Sequence, residues 1–158
     1  NCVKGLNFLK NEFSCLKISS LYESVAVLND QDSFSTTEDH FNFLNGVIKV
    51  KTSLDFPALG IKLKHIETLM GRKRINNSYA PRIIDLDIIL FNHDIRPPIL
   101  PDPGILKFDF IARPLYDIAP YGYHPVNKLT FANIYQNFVS VHLIKTKKSV
   151  FGWSLIPN

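Results

Sequence analysis

The chain is poor in the residues that build disulfide frameworks and zinc sites. It has two cysteines, Cys2 and Cys15, in no CxxC spacing and no ladder of pairs. A reducing cytosol fits that usage. Long apolar runs are lacking too. The longest mainly apolar stretch, Ile83 to Phe91, is broken by Asp85 and Asp87 and is about half of what a membrane helix needs. The opening residues, Asn-Cys-Val-Lys-Gly, have no apolar signal core. There is no Gly-x-x-x-x-Gly-Lys-Ser/Thr loop, no Gly-x-Gly-x-x-Gly fingerprint and no protein-kinase signature set, which disfavours the common nucleotide folds. His40, His65, His93, His124 and His142 lack metal-ligand spacing and receive no role.

What is present describes one folded domain. At 158 residues, 46% apolar and 20% charged, the chain can bury a core and lies far from disordered compositions. A formal charge of +4 and a pI near 9.1 favour polyanions: nucleotides, phosphorylated metabolites, nucleic acid or acidic membranes. Composition does not choose among them.

Val3, Leu6, Leu9 and Phe13 recur at helical spacing, so a helix is expected from Cys2 to Phe13. Leu16, Ile18, Tyr22, Val25 and Val27 suggest extended chain. The polar segment Asn29 to Asp39 reads as a loop and a lid. A strand follows, with Phe41, Phe43, Asn45 and Val47 on one face and Leu44, Ile48 and Val50 on the other. Ser53 or Asp55 can cap a helix with an early Pro57, a stripe of Leu59, Leu63, Ile66 and Met70, and a stop at Gly71. A strand is expected over Ile83 to Phe91, a helix near Phe110 to Ile118, another from a Thr130 cap to Phe138, and a last strand from Val139. The fold class is α+β, a sheet layered with helices.

The chemistry concentrates in GRKRINNSYAPRIIDLDIILF, Gly71 to Phe91. Asp85 and Asp87 are two apart on an expected strand, so their carboxylates leave one face as a claw for divalent metal. Alone, such a pair reads more readily as edge-strand aspartates facing water. Arg72, Arg74 and Arg82 lie close by, and Ile84, Leu86, Ile88 and Leu90 supply an apolar opposite face. Phosphoryl transfer needs charge neutralisation and positioning more than covalent help, so arginines and metal can be the main equipment.

These residues resemble the 6-hydroxymethyl-7,8-dihydropterin pyrophosphokinases of folate biosynthesis, whose signature runs Gly-Arg-x-Arg, a loop, then Gly-Pro-Arg-x-Ile/Leu-Asp-Leu-Asp-Ile-x-Leu-Tyr/Phe. The match covers Gly71, Arg72, Arg74, Pro81, Arg82, Ile84, Asp85, Leu86, Asp87, Ile88, Leu90 and Phe91. Weaker likeness runs through Ser19 to Tyr22, Phe43 to Asn45 and Arg113 to Pro120. The resemblance implies transfer of pyrophosphate from Mg-ATP to the pterin alcohol. It implies a ferredoxin-like antiparallel sheet whose usual first strand is missing here, so that the native chain would start upstream of Asn1.

By the family pattern Asp85 and Asp87 would hold two magnesium ions, Arg72, Arg74 and Arg82 would contact ATP phosphates, and Ile88 would lie beside adenine. Asn45 would read the polar edge of the pterin, with Phe43 and Phe110 sandwiching its ring, although core packing is the plain alternative for both phenylalanines. Asp102 stands in Pro101-Asp102-Pro103 where the family has Pro-His-Pro, and could still touch a metal. Phe108 stands for an arginine, Ala80 for a glycine, and Ser78 for a basic residue beside Tyr79. Those departures motivate a rival, a degenerate relative that binds without efficient transfer. A second rival is an RNA-binding module, disfavoured by the acidic Asp-Leu-Asp strand. Residues 1–145 are read as the catalytic domain and 146–158 as a tail or the start of a linker, with fusion to dihydropteroate synthase considered. No nucleic-acid or membrane partner is expected.

Overall fold

A computed structural model describes residues 2–25, 42–71, 84–138, 144–145 and 153–157. The expected loop at Asn29 to Asp39 and the arginines Arg72, Arg74 and Arg82 lie outside these residues.

The first helix, α1, spans Cys2–Glu12 and leads into β1, Ser14–Ile18. Strand β2, Tyr22–Val25, and the long β3, Asn42–Lys51, follow. β1 and β2 run antiparallel along successive stretches of β3, with Ile18 opposite Ile48 and Tyr22 opposite Asn45. Ser19 stitches the break between them. Its Oγ accepts from the Val47 N–H at 2.9 Å, and its own N–H donates to the Val47 carbonyl at 3.0 Å. The buried backbone is thereby satisfied where the ladder is interrupted.

Helix α2 spans Phe56–Leu69. Of the two caps that the sequence allows, Asp55 serves: its Oδ1 accepts from the Ala58 N–H at 2.9 Å. Met70 closes the helix, and Gly71 takes a φ of 98°, a left-handed geometry that suits glycine. Strand β4 covers only Leu86–Ile88, shorter than the expected Ile83 to Phe91. Asp85 therefore precedes the strand, and only Asp87 lies within it. An apolar run reports burial, not pairing, and the pairing of β4 stops at Ile88. A short 3-10 helix, Pro103–Leu106, precedes α3, Asp109–Ile118, and α4, Phe131–Gln136. Thr130 caps α4 as expected, accepting from the Asn133 N–H, but the helix ends two residues before Phe138.

The two last strands are β5, Ile144–Lys145, on the outer edge of β2, and β6, Trp153–Pro157. β6 lies within residues 146–158 and belongs to the sheet. It inserts between β3 and β4 and runs parallel to both, giving the order β4-β6-β3-β2-β5 with β1 also on β3. The sheet is accordingly mixed, antiparallel where β1, β2 and β5 pair and parallel around β6.

Both sheet faces are covered. Ile48 and Val50 of β3 join Leu9, Leu59, Leu63 and Ile66 beneath α1 and α2. Val47 points the other way, to Ala112, Leu115, Phe131 and Ile134 beneath α3 and α4. This is the period-two alternation expected of a strand buried on both sides. The second layer is also tied by polar groups. The Tyr22 hydroxyl donates to Asp117 Oδ2 at 2.7 Å and accepts from Arg113 Nε at 3.1 Å. Arg113 Nη1 donates to the Tyr135 hydroxyl at 2.6 Å, and the guanidinium lies 4.7 Å from that ring's centre. One arginine thus links α3, α4 and β2.

Candidate active site

The carboxylate end of the site is built by α2 and the start of β4. Lys64 and Glu67 sit one turn apart on α2, and Glu67 is 1% exposed. Its Oε1 accepts from the Leu86 N–H at 2.7 Å and from Lys64 Nζ at 3.0 Å. A buried carboxylate is tolerable only with such charge-assisted partners. The bond to Leu86 fixes the residue between the two aspartates, because the carboxylate and the strand backbone are locked at one point. Lys64 Nζ then lies 3.6 Å from Asp85 Oδ1 and 3.6 Å from Asp87 Oδ1, and also reaches the Leu86 carbonyl at 3.4 Å.

The electrostatics follow from the crowding. Partial loss of water raises the Asp87 carboxyl above its ordinary range, followed by the Asp85 charge; Lys64 pulls it down, and Glu67 and Asp102 add to the rise. Burial opposes the Lys64 charge, but the bond to Glu67 and the Asp87, Glu67 and Asp85 charges outweigh it and hold the ammonium above its usual value. Among the described residues no three His, Cys, Asp or Glu side chains are disposed to hold a metal together. Two carboxylates converging on one cationic nitrogen nevertheless fit a hard divalent cation that takes its remaining oxygens from phosphate and water.

Asp102 lies beside this end. Its N–H donates to the Ile89 carbonyl at 2.9 Å, and its Oδ1 caps the 3-10 helix through the Gly104 N–H at 2.6 Å. Ile88 is half-buried against the core beneath α2.

The aromatic end is assembled differently. Phe43 and Asn45 share one face of β3, with Phe43 49% exposed. Asn45 Nδ2 donates to Ser24 Oγ on β2 at 3.0 Å. Phe110, in the first turn of α3, stacks on Phe108 with ring centres 5.0 Å apart and planes 13° from parallel. Phe43 and Phe110 do not stack on each other. Asp109, between the two stacked residues in sequence, is buried with its Oδ2 unpartnered, and burial raises its carboxyl.

The structure therefore brings Asp85 and Asp87 together, sets Asp102 near them, and puts Phe43 and Asn45 side by side; Arg72, Arg74 and Arg82 lie outside the described residues. Sequence reasoning missed Lys64 and Glu67. The signal was there: Glu67 falls on the same side of α2 as Leu63, Ile66 and Met70, and a charge on an apolar stripe needs a partner.

Comparison with known proteins bears on what this arrangement serves. The profile of the 7,8-dihydro-6-hydroxymethylpterin-pyrophosphokinase family matches residues 1–120. A 2-amino-4-hydroxy-6-hydroxymethyldihydropteridine pyrophosphokinase of Aquifex aeolicus is 38% identical over 127 residues, covering 78% of this chain and 74% of that protein. The folic acid synthesis protein fol1 of Pneumocystis carinii is 37% identical over 134 residues, 82% of this chain but only 17% of that much longer protein. The folate synthesis bifunctional protein of Arabidopsis thaliana is 33% identical over 122 residues, with 75% and 24% covered.

Proposed function

The chain belongs to the 7,8-dihydro-6-hydroxymethylpterin-pyrophosphokinase family, and on that premise we propose how its residues serve the family's reaction. That reaction is an ATP-dependent diphosphotransfer to 6-hydroxymethyl-7,8-dihydropterin, giving the pterin diphosphate and AMP in folate biosynthesis. The observation that carries the assignment of residues is the convergence of Asp85 Oδ1 and Asp87 Oδ1 on one ammonium, 3.6 Å from each.

Asp85 and Asp87 would hold two magnesium ions, which would supply positive charge against the nucleotide phosphates. Glu67 keeps the Leu86 backbone in place, so the two carboxylates present themselves without searching for a geometry. Arg72, Arg74 and Arg82 contact the phosphates, Ile88 packs beside adenine, and Asp102 adds a carboxylate at the metal end. Phe43 and Phe110 flank the pterin ring while Asn45, oriented by Ser24, reads its polar edge. The pterin hydroxymethyl oxygen then attacks the β-phosphorus in line, and AMP departs.

The layering is read as ferredoxin-like, with residues 1–145 forming the catalytic domain. Among the described residues no helix is long and apolar enough to cross a membrane. We place the reaction in the cytoplasm, where its nucleotide is abundant. A relative's name calls it bifunctional, which supports fusion to or association with dihydropteroate synthase as the arrangement to look for. The test is chromatographic: with Mg-ATP and the pterin alcohol, AMP and pterin diphosphate should form in equal amounts. Formation of ADP, or no product, would overturn the reading.

A further inference from the structure

Lys64 is not among the phosphate-binding arginines, yet it is the described cation closest to the carboxylate pair. Its Nζ is 3.0 Å from Glu67 Oε1 and 3.6 Å from each of Asp85 Oδ1 and Asp87 Oδ1. The side chain remains about half exposed, so it reaches the pair from solvent across the surface of α2 and has room to move. An ammonium in that position neutralises part of the charge that a divalent cation would otherwise meet. It also repels that cation at short range.

We propose that Lys64 is the built-in counter-ion of Asp85 and Asp87, that divalent cation binds the pair only by displacing it, and that the displaced ammonium settles on nucleotide phosphate. The inference rests on the reading of Asp85 and Asp87 as metal ligands. Lys64 is then a positioning residue that couples cation binding to nucleotide binding. In the empty site it offsets part of the repulsion between the two carboxylates. In the loaded site its positive charge is satisfied by phosphate, so cation and nucleotide each favour the other. Glu67 itself stays in place in both states, because its bond to the Leu86 N–H does not depend on the cation.

Manganese binding to the whole chain, followed by electron paramagnetic resonance of the free ion, tests this without turnover. Removing the ammonium in Lys64→Met should tighten manganese binding in the absence of nucleotide by about tenfold. The strengthening of manganese binding by a non-hydrolysable ATP analogue should shrink in the same variant. Lys64→Arg, which keeps the charge, should restore wild-type behaviour in both measurements, and Lys64→Gln should follow Lys64→Met.

A purely structural lysine predicts the reverse: looser manganese binding in Lys64→Met and Lys64→Gln, with an unchanged nucleotide effect. That result, or equal affinity in wild type and both variants, overturns the proposal while leaving the metal ligands standing. No manganese binding in wild type or in any variant would overturn the metal reading along with it.

Discussion

Whereas the carboxylate end of the site is wired into the core through Glu67 and the Leu86 backbone, the aromatic end leaves Phe43 half in solvent and Phe110 stacked on its neighbour Phe108. The first arrangement concentrates like charge and, among the described residues, restrains it with a buried acceptor and the Lys64 ammonium. The second spends little on restraint and offers flat apolar surface. The difference matches the tasks: phosphate chemistry needs fixed charge, while a flat heteroaromatic is caught by faces that can adjust.

The contrast is broken most severely at the carboxylates. Asp87→Asn should lower kcat/KM by on the order of a thousandfold, measured as AMP formation. The same change removes a like charge from Asp85, Glu67 and Asp102, so the melting temperature without magnesium should rise by about 2 °C. A fall in both would mean that the carboxylate end is not charge-strained. Glu67→Ala should cost about 3 kcal/mol in denaturant unfolding, since it orphans the buried Leu86 N–H, while Glu67→Gln, which keeps an acceptor, should cost much less.

At the aromatic end Phe43→Ala should leave stability within about 0.5 kcal/mol and raise KM for the pterin by about tenfold, with kcat far less affected. A large loss of stability would return Phe43 to the core-packing reading.

The smallest effect lies away from both ends. His124 is buried, and burial lowers its pKa below the usual 6.5. The unfolded chain then binds the proton more tightly, so stability is complete above about pH 6.5 and declines as pH falls toward the folded-state value. Melting temperature should drop by about 2 °C between pH 7 and the acid side of that window, and His124→Gln should flatten the slope.

How much was legible in the sequence follows from how local each signal is. Helices α1 and α2 and the Thr130 cap are written within a few residues of themselves, and each appears in the structure. The family signature added the pterin alcohol and the transfer of pyrophosphate to the phosphate chemistry that the carboxylates and arginines already suggested. β6 could not be read in this way. Its partners, Gly46–Val50 and Leu86–Ile88, lie far back along the chain, and a short apolar segment behind a basic patch carries no mark of the parallel slot that it fills. The short β4 has the same origin, for its extent is that of its pairing with β6 and not that of its own apolar run. The partner of Glu67, the Leu86 N–H, lies 19 residues on, so the local i,i+3 charge pair does not mark it.

The most direct test of the account is AMP formation by the Asp85→Asn/Asp87→Asn chain at saturating ATP, magnesium and pterin, run beside wild type. The account predicts no AMP above the uncatalysed background, with pterin binding by fluorescence retained. Turnover within tenfold of wild type would contradict it.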